Sequence, residues 1–215
     1  MKSLLLIFTF SVLNLNEISA QECGETKFRI FGGPEFSHLI SADSSTSRGM
    51  QLGAGIGGEV SHFVGCNLSL NTGLSYYYSP TDYWVDNDTL VDFAKLRTHT
   101  FEIPLGIRFN TNYNSNSTAY YFGLAYTNNL AIASSKVYQT VFIFPTDYQS
   151  IEREGTYMLY NPGAKFEIGL QNKFDGKNSI TVGFHSRFVY HNFFSGVPSD
   201  KVLTMSIGLQ LGYIF

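Results

Sequence analysis

Five histidines, two cysteines and a cluster of aspartates are the residues of this 215-residue chain that first suggest chemistry. In "HSR", His185 and Ser186 are adjacent. A serine nucleophile needs a base within hydrogen-bond reach, yet neighbours along a strand point to opposite faces, so this pair cannot pass a proton directly. His62, His99 and His191 have no serine and carboxylate on the same face and are expected to be structural. Asp86, Asp88 and Asp92 lie in "SPTDYWVDNDTLVDFA". They would offer oxygens to calcium, but Leu90 and the lack of a glycine break the EF-hand spacing. A solvated acidic loop is the expectation, with no metal and no cofactor. The same loop carries Tyr83 and Trp84, candidates for gripping a partner or sugar.

The remaining ionisable residues of interest are Arg29, Glu35, Glu59, Glu102, Arg108, Lys165, Glu167, Lys173 and Arg187. Each sits in a stretch where apolar residues recur at every second position, the period of a β-strand. In "FEIPLGIRF", Phe101, Ile103, Leu105, Ile107 and Phe109 alternate with Glu102, Pro104, Gly106 and Arg108. Eight such segments fall near 27–39, 50–60, 67–78, 96–109, 118–128, 158–174, 179–191 and 201–215, separated by runs of Asn, Asp, Ser, Gly and Pro. Pro104 cannot donate to a ladder, which predicts a bulge or a gap beside it.

Two arrangements fit such strands: apolar faces turned into a soluble core, or apolar faces turned out to hydrocarbon. The polar phase holds Gly53, Gly55, Gly57, Gly73, Gly106, Gly123, Gly169, Gly183, Gly208 and Gly212. Glycine weakens an exposed strand but suits a crowded interior, and an eight-stranded barrel has an interior only wide enough for side chains. The fold expected is therefore an all-β, eight-stranded antiparallel transmembrane barrel, an up-and-down meander with a filled polar lumen. Four acids against five bases in that lumen favour mutual ion pairing over the single-sign rings of a selective pore. The connections alternate short ("SHFVGC", "NTNYNSNS", "DGKN") and long (near 40–49, 79–95, 129–157 and 192–200), which places both termini in the periplasm and the long loops outside. Tyr76, Tyr78, Tyr160, Tyr190, Tyr213 and Phe215 are expected near strand ends as interfacial girdles.

Composition agrees, with 19 Phe, 14 Tyr and 20 Gly but only 14% charged residues, against about 25% in ordinary soluble chains. The formal charge of −3 provides no basic field for nucleic acid. "MKSLLLIFTFSVLNLNEISA" reads as a secretory signal removed after residue 20, leaving 21–215 as the barrel domain of an outer-membrane protein of a Gram-negative bacterium. Cys23 and Cys66 both fall at the periplasmic end, where oxidation would allow a disulfide. A secreted lipocalin shares the strand count, but its G-x-W start is missing, and the single Trp84 lies in a loop.

The chain closes on "LTMSIGLQLGYIF", with Leu209, Leu211, Tyr213 and Phe215 in one phase. This ending resembles the carboxy-terminal signal by which outer-membrane barrels engage their insertion machinery. "FEIPLGIRF" is similar to the E-I-P-L strand of the Bacteroidetes-type outer-membrane β-barrel family, often labelled PorT-like. The resemblance implies an integral barrel of the cell envelope and no enzymatic chemistry. The His and Ser two apart that mark lipid A deacylating barrels are replaced here by adjacent residues. The function expected is envelope structure or surface binding through the long loops, with outer-membrane lipid and an extracellular or envelope protein as partners. An accessory role in a secretion or assembly system, or a narrow channel, are the alternatives.

Overall fold

The computed structural model describes residues 24–41, 46–47, 50–87, 90–111, 118–143, 147–174, 178–192 and 201–215. Eight strands make up the wall: β1 Thr26–Ser41, β2 Gln51–Phe63, β3 Leu68–Asn87, β4 Leu90–Asn110, β5 Thr118–Ile143, β6 Asp147–Lys173, β7 Ser179–Asn192 and β8 Lys201–Ile214. Every strand pairs antiparallel with its neighbour in sequence, and β8 pairs with β1 from Arg29↔Ile214 to Ser41↔Val202, closing the barrel as a meander. A two-residue segment, Thr46–Ser47, pairs with Val85 and Trp84 of β3.

Closure requires stagger. The pairs running from Glu35 through Gly208, His185, Glu167, Gly123, Arg108, Ser69 and Phe63 return to Glu25, ten residues back along β1. A stagger of this kind tilts the strands by roughly 40° to the barrel axis, the usual range for eight strands. The tilt carries side chains distant in the pairing order to a common height in the lumen.

Alternation decides what faces where. On β8 the odd residues from Ile207 to Tyr213 look outward and are exposed, while Ser206, Gln210 and Ile214 are buried inside. The same holds for β7, where Phe184 is 62% exposed and Arg187 is 2% exposed. No Asp, Glu, Lys or Arg occupies the outward phase of the described wall between the terminal end and the level of Tyr78 and Leu130. An apolar surface wrapped around a charged centre is the reverse of a water-soluble barrel and is the form that hydrocarbon stabilises.

Phe215, the last residue, belongs to this wall. Its N–H donates to the Phe28 carbonyl at 3.0 Å, the Phe28 N–H donates back at 3.1 Å, and the two rings stack at 6.0 Å. Tyr213 lies 6.2 Å from Phe215 and 6.0 Å from Phe174, forming an outward aromatic group at the terminal end. At the other side of the apolar band, Tyr76 and Tyr78 flank His99, and the Tyr76 hydroxyl is 2.6 Å from His99 Nδ1.

Pro104 interrupts the β3–β4 ladder between Thr72↔Leu105 and Ser75↔Glu102. The offset is the same on both sides, so the interruption is a gap and not a bulge. On the β5 side Pro104↔Thr127 belongs to an unbroken ladder, so the missing N–H is accommodated toward β3. Pro34 marks a similar gap in the closing seam, between Gly32↔Leu211 and Glu35↔Gly208.

The strand lengths depart from expectation. β3 to β6 have 20, 21, 26 and 27 residues, whereas the other four have 13 to 16. The stretches near 79–95 and 129–157, expected as long loops, are the upper parts of two hairpins whose last pairs are Asn87↔Leu90 and Ile143↔Asp147. The physical reason is a change of polarity without a change of period. Below, the outward phase carries no charge; above, among the described residues, it carries Asp82, Lys95 and Arg97. A strand whose outward face takes up charge looks in sequence like one that has ended.

Candidate functional site

Two surfaces carry the candidate residues: the lumen, and the hairpins beyond it. Eight of the nine ionisable residues singled out above are buried in the lumen, where they form two groups. Lys173 is half-buried at the terminal end of β6.

Toward the terminal end, Glu167 is the hub. It accepts Lys165 Nζ at 2.7 Å, Arg108 Nη2 at 2.7 Å and Arg29 Nη1 at 3.2 Å. Arg108 Nη1 also reaches Glu59 Oε1 at 2.7 Å, and the Asn71 amide donates to that oxygen at 3.2 Å. Thus β1, β2, β4 and β6 are tied across the interior by one network. The cations also lie over rings: Arg29 is 4.7 Å from the Phe31 centroid, Lys165 is 4.8 Å from the same ring, and Arg108 is 5.2 Å from that of Tyr121. Desolvated cations over aromatic faces gain more than exposed ones.

Toward the hairpins, Arg187 joins two carboxylates. Its Nε donates to Glu102 at 3.0 Å, and its Nη1 donates to the two Glu35 oxygens at 3.2 and 3.1 Å. The guanidinium carbon sits 3.5 Å from the centroid of the Tyr77 ring. Tyr77 separates the two groups, because Lys165 lies 5.9 Å from its ring centroid. In these two groups four cations face four carboxylates, so each of these buried charges has an opposite beside it, which burial demands.

Glycine provides the room. A side chain at position 55 would collide with the Tyr77 ring, and one at position 183 with the Tyr121 hydroxyl. Three cavities along the lumen measure about 10, 20 and 10 Å³, the scale of a single water. The last is lined by Ser79, Thr81, Thr98, Thr100, Thr204 and Ser206 above Arg187.

His185 and Ser186 point apart: His185 is buried in the lumen, and Ser186 lies in the outward phase. His185 Nε2 lies 3.4 Å from Glu35 Oε2, a partner that sequence reasoning missed because the two are 150 residues apart. Ser79 also meets Glu35, donating at 2.6 Å, so its hydroxyl is engaged by the carboxylate and not by the imidazole. That order lacks the base-to-serine contact that acyl transfer requires. His62 meets Thr26 Oγ1 at 3.0 Å on the exposed surface. Also missed were Phe31 and Tyr121, aromatics in the polar phase, and the contact of Tyr77 with Arg187; the glycines paired near these rings were the available signal.

Tyr83 and Trp84 fall in the upper part of β3, paired with Ala94 and Phe93 of β4, and Trp84 also pairs with Ser47. Leu209, Leu211, Tyr213 and Phe215 form the outward row of the closing strand. Cys66 lies in the turn between β2 and β3, while Cys23 and the 1–20 segment lie outside the described residues. Asp88 is likewise outside them.

No protein-family model matches the chain, and no curated protein matches it. Solved structures do. Neisserial surface protein A aligns with a TM-score of 0.51 and 11% identity, over 87% of this chain and 95% of that one. The outer-membrane protein OprG from Pseudomonas aeruginosa aligns at 0.44 and 13%, over 92% and 99%. Ail, the attachment invasion locus protein of Yersinia pestis, aligns at 0.37 and 16%, over 90% and 100%. The last two are too loose to build on; at these identities the likeness concerns the fold and nothing finer. The chain has the closed eight-stranded antiparallel architecture of the small outer-membrane β-barrels.

Proposed function

We propose that this protein is an integral outer-membrane barrel that neither conducts nor catalyses, and that it works through its hairpins. In this reading residues 1–20 are a cleaved signal, both termini face the periplasm, and the hairpins of β3–β4 and β5–β6 stand outside the cell. The row Leu209, Leu211, Tyr213 and Phe215 engages the insertion machinery. "FEIPLGIRF" supports kinship with the PorT-like barrels. A bridge between Cys23 and Cys66 fits the oxidising periplasm.

The observation that carries the proposal is the packing around Arg187: a guanidinium at 3.5 Å from the Tyr77 centroid and bonded to Glu35 and Glu102. It fills the middle of the lumen and leaves the hairpins as the extensive surface beyond the membrane. Planar bilayer recording tests the closed lumen, with the expected result being no stable conductance steps for the full chain. Excising residues 83–94 or 132–158 tests the working surface. Insertion is expected to persist, while adhesion of cells displaying the protein to other cells or to matrix proteins falls to background; unchanged adhesion refutes the reading.

A further inference from the structure

The two charge groups of the lumen balance each other, but neither balances within itself. Toward the hairpins, Arg187 alone faces Glu35 and Glu102. Toward the terminal end, Arg29, Arg108 and Lys165 face only Glu59 and Glu167. Two further cations of the inward phase, Lys27 and Lys173, lie at that same end. The one carboxylate added there among the described residues is Glu25, 3.2 Å from Lys27, and its side chain is 45% exposed. A carboxylate so open to water holds its partner weakly. The terminal end of the lumen therefore carries an excess of positive charge, most of it buried.

The cavity of about 10 Å³ at this end lies where the excess is greatest. Lys27, Arg29 and Arg108 line it together with Asn110 and Gln171, and no carboxylate does. Lys27 is 7% exposed, Arg29 1% and Arg108 4%. The terminal nitrogens of the two arginines are engaged by Glu59, Glu167 and Gln210. Their Nε atoms, by contrast, are buried without a hydrogen-bond partner. Guanidinium and ammonium groups only donate. Buried charge of one sign requires an opposite, and a cavity of this size admits a single atom-sized occupant. A water molecule could accept hydrogen bonds here, but it would leave the charge as it stands.

We propose that this cavity is a binding site for one small monovalent anion, with chloride as the natural occupant. Lys27, Arg29 and Arg108 hold it, and Asn110 forms part of the wall. The ion does for the terminal group what the second carboxylate does beside Arg187. Because the ion binds the closed barrel and not the unfolded chain, its concentration adds to the stability of the fold.

The test uses the full chain in zwitterionic vesicles and follows urea unfolding in sodium chloride and in sodium gluconate at equal ionic strength, so that general screening is the same in both. Gluconate is too large for the cavity. The unfolding midpoint is expected to lie at higher urea in chloride and to rise with the logarithm of chloride concentration. Lys27→Gln is expected to lose most of that shift. Asn110→Asp sets a fixed carboxylate into the cavity wall at almost unchanged volume. It is expected to unfold at one midpoint in both salts and, in gluconate, at higher urea than the parent. Crystals grown in sodium bromide are expected to show an anomalous peak beside Arg29 and Arg108 in the parent and none there in Asn110→Asp. Equal midpoints for the parent in the two salts, a chloride shift undiminished in Asn110→Asp, or a cavity that holds water alone in bromide overturns the proposal.

Discussion

Arg187 is the side chain on which the upper lumen depends. Replacing it with alanine leaves Glu35 and Glu102 buried without their shared cation, which costs about 3–5 kcal/mol for a broken buried pair. Urea unfolding of Arg187→Ala in vesicles is expected to show that loss. The triple variant Arg187→Met, Glu35→Gln, Glu102→Gln is expected to recover most of it, because no uncompensated charge remains. An Arg187→Ala protein as stable as the parent would mean that the contacts at 3.0 and 3.1 Å bind weakly. Gly183 permits a second check. Gly183→Val drives a side chain into Tyr121, and overpacking of this kind costs about 1–3 kcal/mol; Tyr121→Ala in the same chain should restore part of it. The charged lumen residues were legible from parity alone, since Glu102, Arg108, Lys165 and Glu167 each alternate with apolar neighbours. Their pairing was not, because the ten-residue stagger that brings Arg29 to Glu167 is a property of the closed barrel. The aromatic platforms were hidden too, as a ring in the polar phase reads as noise until the facing glycines are known.

At the scale of the strand, period and polarity are separate signals. β7, β8 and the lower parts of β3 to β6 announce themselves by both, and their bounds lie within a few residues of the alternating segments. The upper parts keep the pairing register, while the outward phase, free of charge below, takes up Asp82, Lys95 and Arg97. Tyr83, Trp84 and Val85 therefore look like a loop and lie in a strand. The closing strand makes a prediction of its own. Leu209→Lys puts a charge on the outward row and should cost about 2–4 kcal/mol if that row lies near the middle of the bilayer; equilibrium unfolding in vesicles measures it. Deleting Phe215 removes both hydrogen bonds to Phe28 and the stacked ring. The yield of assembled barrel, read as the heat-modifiable band in a gel, should fall several-fold, whereas Phe215→Trp should preserve it.

As a whole, the molecule joins an inverted barrel, whose charges face one another, to an upper sheet that opens with the outward pair Arg97–Asp82. The appearance of charge in the outward phase above Tyr78 and Leu130 marks the boundary between them. An inverted barrel is defined by which way its wall faces. Single cysteines at Leu209 and Ser206, introduced with Cys23 and Cys66 replaced by serine, place one environment-sensitive fluorophore on each side of the same strand: Leu209 is exposed, and Ser206 is 2% exposed. In vesicles containing lipids brominated along the acyl chain, quenching is expected at position 209 and not at 206. Quenching at 206 with none at 209, or a chain that stays dissolved and folded without detergent or lipid, would contradict it.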